Sequence, residues 1–264
     1  MFLLGSRKND KSRAFELDFL RGVAIVMMII MHATYDVRYE FKLDVFSYLH
    51  SPFFWEFFHP IIVGLFVTVS GICCTFSRNN IKRGVKLLGI AMCFTVATYI
   101  ATNYLGIYCL IIFNVLHLLS VSTILYGLLS IIEKKLQMNP KAMTLIIGFI
   151  GIYIMLLNNN LYRFAGQSSS IFLMIVGVDT IDTPLVVDDM PLIPWVGVFL
   201  IGAAIGRMCY ENRKTLWENA GSTTRKITAP FEFLGRHSLL IYLVHQPIVY
   251  GLLYVFLHLT GVVD

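Results

Sequence analysis

Apolar residues run along this chain in blocks of roughly twenty, the length of helix that crosses a hydrocarbon core about 30 Å thick. Short polar or basic stretches close each block. Seven blocks qualify, near Leu17–Tyr35, Phe57–Phe76, Leu87–Asn103, Tyr108–Ile132, Ala142–Leu157, Leu192–Met208 and Phe233–His258. They predict an all-α, polytopic transmembrane helix bundle of about seven spans, organised as one domain over residues 1–264. Residues 1–15 read as a basic tail, and the first block lacks an Ala-x-Ala-type cleavage site, so it is expected to stay as a permanent span. The longest polar stretch, 158–190, carries Asn158-Asn159-Asn160, Ser168-Ser169-Ser170 and the aspartates Asp179, Asp182, Asp188 and Asp189. Its apolar piece Ile171–Val178 is too short to cross, which predicts an outer loop or interfacial lid.

Composition rules out a water-soluble domain. The chain is 57% hydrophobic and 14% charged, where a soluble domain carries about 25% charged residues. Its net charge of +5 is spread in blocks between the apolar runs. Of 21 Lys and Arg residues, only Arg38, Lys42 and Arg163 fall on one side when alternate loops are assigned to opposite faces. This bias predicts a cytoplasmic N-terminus and an outside C-terminus in the cell membrane. A nucleic-acid partner is not implied. The five cysteines lie in or beside apolar runs without a C-x-x-C pair, so neither a disulfide framework nor a metal site is expected.

Ionisable groups inside a span must face a bundle interior or a watery cavity, so each needs an explanation. Arg21 and His32 are eleven residues apart, which returns almost to the same helix angle after roughly 16 Å of rise. Asp18, Arg21, His32 and Asp36 therefore share one face. Their spacing permits an Asp18–Arg21 pair and an Asp36–His32 pair, the latter leaving one ring nitrogen of His32 as a base. The same spacing also fits an interfacial ion pair and a histidine bonded to a neighbouring helix. His117 and His245 lie inside later blocks, and Ser238, Tyr242 and His245 fall on one stripe. Pro247 frees the carbonyl of Leu243. Three histidines at similar depth suggest a shared polar cavity.

His50, His59 and Trp55 lie near the outer edge of the second block, where aromatic residues and histidines are common. Arg78, Lys82, Arg83, Lys86, Arg207, Arg213 and Arg236 cluster on the cytoplasmic side and suit lipid headgroups or a phosphate-bearing cofactor. Gly202-Ala203-Ala204-Ile205-Gly206 reads as a close-packing segment. Trp195 opens the sixth block at the outer interface.

Six stretches carry a family resemblance: 16–24 (ELDFLRGVA), His32 with Tyr35-Asp36, Gly64-Leu65-Phe66 with Ser70-Gly71, Val115–Leu118, Pro191–Trp195 with Gly197, and 234–247 (LGRHSLLIYLVHQP). The chain resembles the catalytic-domain family of heparan-alpha-glucosaminide N-acetyltransferase in a compact bacterial form. Its Arg21-x10-His32 spacing is also similar to that of transmembrane acyltransferases acting on surface sugars. The resemblance implies an integral-membrane enzyme that takes acetyl from cytoplasmic acetyl-CoA and delivers it to an amino or hydroxyl group of a sugar or glycan outside. A homodimer is implied on the same ground. The family's eukaryotic members carry asparagine at the position of His32 and a catalytic histidine further along, nearest to His50 here. Asp36, one turn from His32, favours His32.

Together these readings name His32, Asp36, His117, Tyr242 and His245 as catalytic candidates, with His32 a general base or a transient acetyl carrier. His117, Tyr242 or His245 would donate to the thioester oxyanion. Arg21, Arg236, Arg78 and Arg83 are expected to hold the nucleotide end of acetyl-CoA, and Trp195, His50 and Gln246 to meet the acceptor. A proton-coupled transporter is the competing class, because buried His and Asp residues also suit proton relay. A retinal protein is excluded by the lack of a lysine within the last block.

Overall fold

The computed structural model describes residues 14–161, 170–178, 188–210, 214–217 and 221–262. Most of the basic tail, Arg163, Arg213 and the aspartates Asp179 and Asp182 lie outside the described residues. Among the described residues the chain is all-helical: α1 Phe15–Tyr35, α2 His59–Cys74, α3 Asn80–Tyr104, α4 Val115–Lys135, α5 Pro140–Leu161, the short α6 Ile171–Val176, α7 Trp195–Cys209, α8 Ser222–Arg236 and α9 Ser238–Leu259. Six helical stretches are long and apolar enough to cross a membrane. The fold class is thus that of a polytopic helical membrane protein.

The predicted blocks survive with three corrections. The sixth becomes α7, whose 15 residues rise only about 22 Å, short of a full hydrocarbon core. The fourth block does not start at Tyr108, because residues 108–114 are non-helical and α4 begins at Val115 behind the cap residue Asn114. The last block is two helices. Its first residues, Phe233–Arg236, end α8, and the chain turns at His237 before α9 starts at Ser238. Apolar periodicity alone cannot show such breaks, since the side chains on either side stay equally apolar.

By internal packing the chain divides into two compact units, residues 1–66 with 212–264 and residues 67–211. In the first unit α1 packs against both α8 and α9. The α1–α8 crossing depends on two glycines: a side chain on Gly22 would strike the Phe231 carbonyl, and one on Gly235 the Asp18 carbonyl. Backbones approach this closely only where a Cβ is missing. At the same end, Glu16 accepts from Thr215 Oγ1 at 2.7 Å and from the Leu216 amide at 2.8 Å. The Arg225 guanidinium lies 4.0 Å above the Phe15 ring.

In the second unit α3 packs on α4 and α5 on α7. The small-residue segment of α7 does pack closely: Gly202 lies against Thr68 and Gly206 against Ile72 of α2. One ion pair ties α4, α5 and α7 together. Arg207 donates through Nη1 and Nη2 to Glu133 at 2.9 and 2.5 Å, and through Nε to Thr144 Oγ1 at 2.8 Å. Its fork matches the carboxylate plane, the geometry in which such pairs hold best. Elsewhere long apolar side chains face outward, as with Phe149, Leu252 and Met208, each about two-thirds exposed. Lipid, not protein, is the solvent for these faces.

Candidate functional site

The polar side chains of the first unit converge where α1 meets α9. Asp36 follows directly on α1, opening a π-helical turn that runs to Glu40. It is only 2% exposed, and a carboxylate so buried demands hydrogen-bond donors. Gln246 of α9 supplies them: its Nε2 donates to Oδ1 at 2.9 Å and to Oδ2 at 3.1 Å.

His32 lies one turn before Asp36. Its Nδ1 is 3.0 Å from the carbonyl of Met28. A carbonyl only accepts, so Nδ1 carries the proton and the neutral ring presents its lone pair at Nε2. His245 repeats the arrangement, with Nδ1 2.7 Å from the Tyr242 carbonyl. The two imidazoles meet edge to face, centroids 5.0 Å apart and planes at 83°. The ring of Tyr242, itself buried, is 5.5 Å from that of His245. The structure therefore brings His32, Asp36, Tyr242, His245 and Gln246 together on two helices.

Two expectations about these residues change. Asp36 does not hydrogen-bond His32; the ring is oriented by its own helix and the carboxylate by the opposite one. Competition explains the exchange: the Met28 carbonyl lies one turn back at bonding distance, and a single amide satisfies both oxygens of Asp36. His245 also cannot donate from Nε2 while neutral, because its proton is held at Nδ1 by Tyr242.

His117 falls in the second unit, and its position is a correction. It is not mid-helix but in the first turn of α4, where it forms a reciprocal cap with Asn114. The Asn114 amide donates to His117 Nδ1 at 3.3 Å, Asn114 Oδ1 accepts from the Leu116 amide at 3.1 Å, and His117 Nε2 lies 3.2 Å from Thr95 Oγ1. Both ring nitrogens are thus engaged in building the helix end. Asn114 three residues ahead of His117, just before an apolar run, was the sequence signal for this cap.

His50 is exposed, with its Nε2 accepting from Arg38 Nε at 2.9 Å. Arg38 also pairs with Asp44 at 3.0 Å and donates to the Val45 carbonyl. That contact makes His50 part of a loop clamp. Trp195 is the first residue of α7, half-buried, in the second unit.

The predicted cofactor cations divide in the same way. Arg21 lies 3.6 Å from Asp18, and its Nη1 donates to the Gly235 carbonyl at 3.4 Å. This bond places it next to Arg236, which is exposed and, among the described residues, bonds only its own helix, at the Glu232 carbonyl. Arg78 and Arg83 are exposed in the second unit, around the start of α3. Among the described residues no group of three or more His, Cys, Asp or Glu side chains is placed to hold a metal ion.

Membrane-length helices that enclose paired histidines and a buried carboxylate define a polytopic membrane protein with an ionisable interior site. The chain belongs to the heparan-alpha-glucosaminide N-acetyltransferase catalytic family, whose model matches residues 13–247. Family membership makes it a membrane acetyltransferase. A comparison with curated proteins finds no match, nor does one with solved structures.

Proposed function

We propose that the protein moves an acetyl group from cytoplasmic acetyl-CoA to an amino or hydroxyl group of a sugar outside the membrane, with His32 as the general base. The observation that carries this reading is the bond from His32 Nδ1 to the Met28 carbonyl, 3.0 Å. It commits the ring to the tautomer with a basic Nε2, in an imidazole that packs against the His245 ring.

The acceptor nitrogen or oxygen attacks the thioester carbon while its proton passes to His32 Nε2. The carbon–sulfur bond then breaks, and the departing thiolate of coenzyme A recovers that proton. Asp36, one helical turn from His32 on the same face, stabilises the imidazolium that exists between the two transfers. Tyr242 donates its hydroxyl to the carbonyl oxygen as negative charge builds there. Arg236, exposed and without an acidic partner among its contacts, suits a phosphate of the donor, with Arg21 beside it. The charge bias between loops supports the inward position of the donor and the outward position of the acceptor.

The test is transfer of labelled acetyl from acetyl-CoA to methyl α-glucosaminide in proteoliposomes, with wild type, His32→Ala and His50→Ala compared. Loss of transfer in His32→Ala, with His50→Ala close to wild type, is the expected result. Undiminished transfer in His32→Ala would remove the assignment.

A further inference from the structure

Gln246 raises a question that its contact with Asp36 does not answer. A carboxylate accepts only, so the amide must turn its NH2 toward Asp36, and the orientation of the group is fixed by chemistry. Its carbonyl oxygen Oε1 then points the other way. That atom is shut off from solvent and has no hydrogen-bond partner among the described residues. A buried amide oxygen left without a donor is costly, so native structures leave one only for a reason.

A second acceptor lies on the same helix. Pro247 has no N–H, so the carbonyl of Leu243 loses the donor that an unbroken helix would give it four residues on. Positions 243 and 246 are three apart and share a helix face. This part of α9 therefore offers acceptors next to a buried carboxylate, on the helix whose His245 ring packs against His32. The missing partner is a donor.

We infer that Gln246 Oε1 is the subsite for the reacting N–H or O–H of the acceptor, and that the amide joins this group to Asp36 through its other end. The inference rests on the acetyl-transfer reading and deepens it. One hydrogen of an attacking amine bonds to Gln246 Oε1 while its other is directed at His32 Nε2; a hydroxyl, with a single hydrogen, bonds Oε1 first and turns that hydrogen to Nε2 as it attacks. Orientation of the attacking lone pair toward the thioester carbon follows, since a nucleophile held at two points has little freedom left. An analogue without the reacting group loses this bond and leaves the oxygen orphaned, which is how a polar site rejects near-isosteres.

The experiment pairs a protein change with a ligand change. Methyl α-glucosaminide serves as acceptor, and the methyl α-glycoside of 2-deoxyglucose, which lacks the amino group, serves as competitor. Wild type and Gln246→Leu are compared in proteoliposomes for acceptor KM, competitor inhibition constant and acetyl-CoA KM. The inference expects acceptor KM to rise about tenfold in Gln246→Leu, with the competitor's inhibition constant and the acetyl-CoA KM unchanged. Equal weakening of acceptor and competitor would overturn it, because that is the mark of a general structural role. Unchanged acceptor KM would also overturn it. If Gln246→Leu does not fold, Gln246→Met is the second variant: the same tenfold rise in acceptor KM with an unchanged competitor constant is expected, and an unchanged acceptor KM is contrary. Wild type that transfers no acetyl at all would strike the parent reading instead, and equilibrium binding of the two glycosides would then still report on the subsite.

Discussion

His32 and His117 are both histidines held by hydrogen bonds within apolar helices, yet they are held in opposite ways. His117 has both ring nitrogens occupied, one by the Asn114 cap and one by Thr95. His32 has one nitrogen tied to Met28, and its Nε2 bonds no described residue. Away from water every polar atom needs a partner, so a ring with both nitrogens satisfied is finished as structure. A ring with one nitrogen satisfied is oriented and still reactive. The same contrast separates Arg207, spent on Glu133, Thr144 and a main-chain carbonyl, from Arg236, whose side chain bonds only its own helix. Saturation of hydrogen bonds, and not mere burial, tells the builders from the candidates for chemistry.

The comparison breaks most visibly at its two histidines. His32→Ala should lower acetyl transfer by about 10³-fold, the middle of the range for loss of a positioned base, while the thermal transition in detergent moves little. If His32→Ala instead unfolds the protein and leaves the surviving fraction fully active, the contrast is wrong. Arg207→Met comes next. Removing one member of a fastened, mostly buried ion pair leaves Glu133 charged without its partner and should cost about 3–5 kcal/mol. Thermal unfolding of the purified protein reads this, and Arg207→Met with Glu133→Gln together should recover part of the loss.

Asp36→Asn should reduce transfer by about 30-fold, less than the loss of the base itself, because the imidazolium loses a stabilising charge but the base remains. Labelled-acetyl transfer at saturating acceptor measures it. Asn114→Ala removes a helix cap and should cost about 1 kcal/mol, seen as a lower melting temperature with transfer per folded molecule kept. The smallest effect belongs to Asp44, whose side chain is 96% exposed: Asp44→Ala should leave both stability and transfer at wild-type levels, since water screens its pairing with Arg38.

Much of this was legible along the chain because lipid imposes a strong rule. A spanning helix needs about twenty apolar residues, so α1, α3 and α5 announce themselves. The shared face of His32 and Asp36 was legible for the same reason, since helical spacing is fixed. What the spacing could not show was which acceptor each group would choose. Asp36 and His32 are positioned to meet, yet a main-chain carbonyl at Met28 and a side chain 210 positions away on α9 take their places. A carbonyl occurs at every residue and carries no sequence signal, and Gln246 reads as polar without showing which way its amide turns.

Composition and periodicity by themselves determined that this protein spans a membrane by helices and that few ionisable groups are carried inside, because a polar group in hydrocarbon is too costly to place without purpose. Tertiary structure alone decided which of those groups are used up. His117 became a cap and Arg207 a fastener, while Gln246 gave one end to Asp36 and kept the other open, since hydrogen bonds saturate with distance and direction and neither is written in the order of residues.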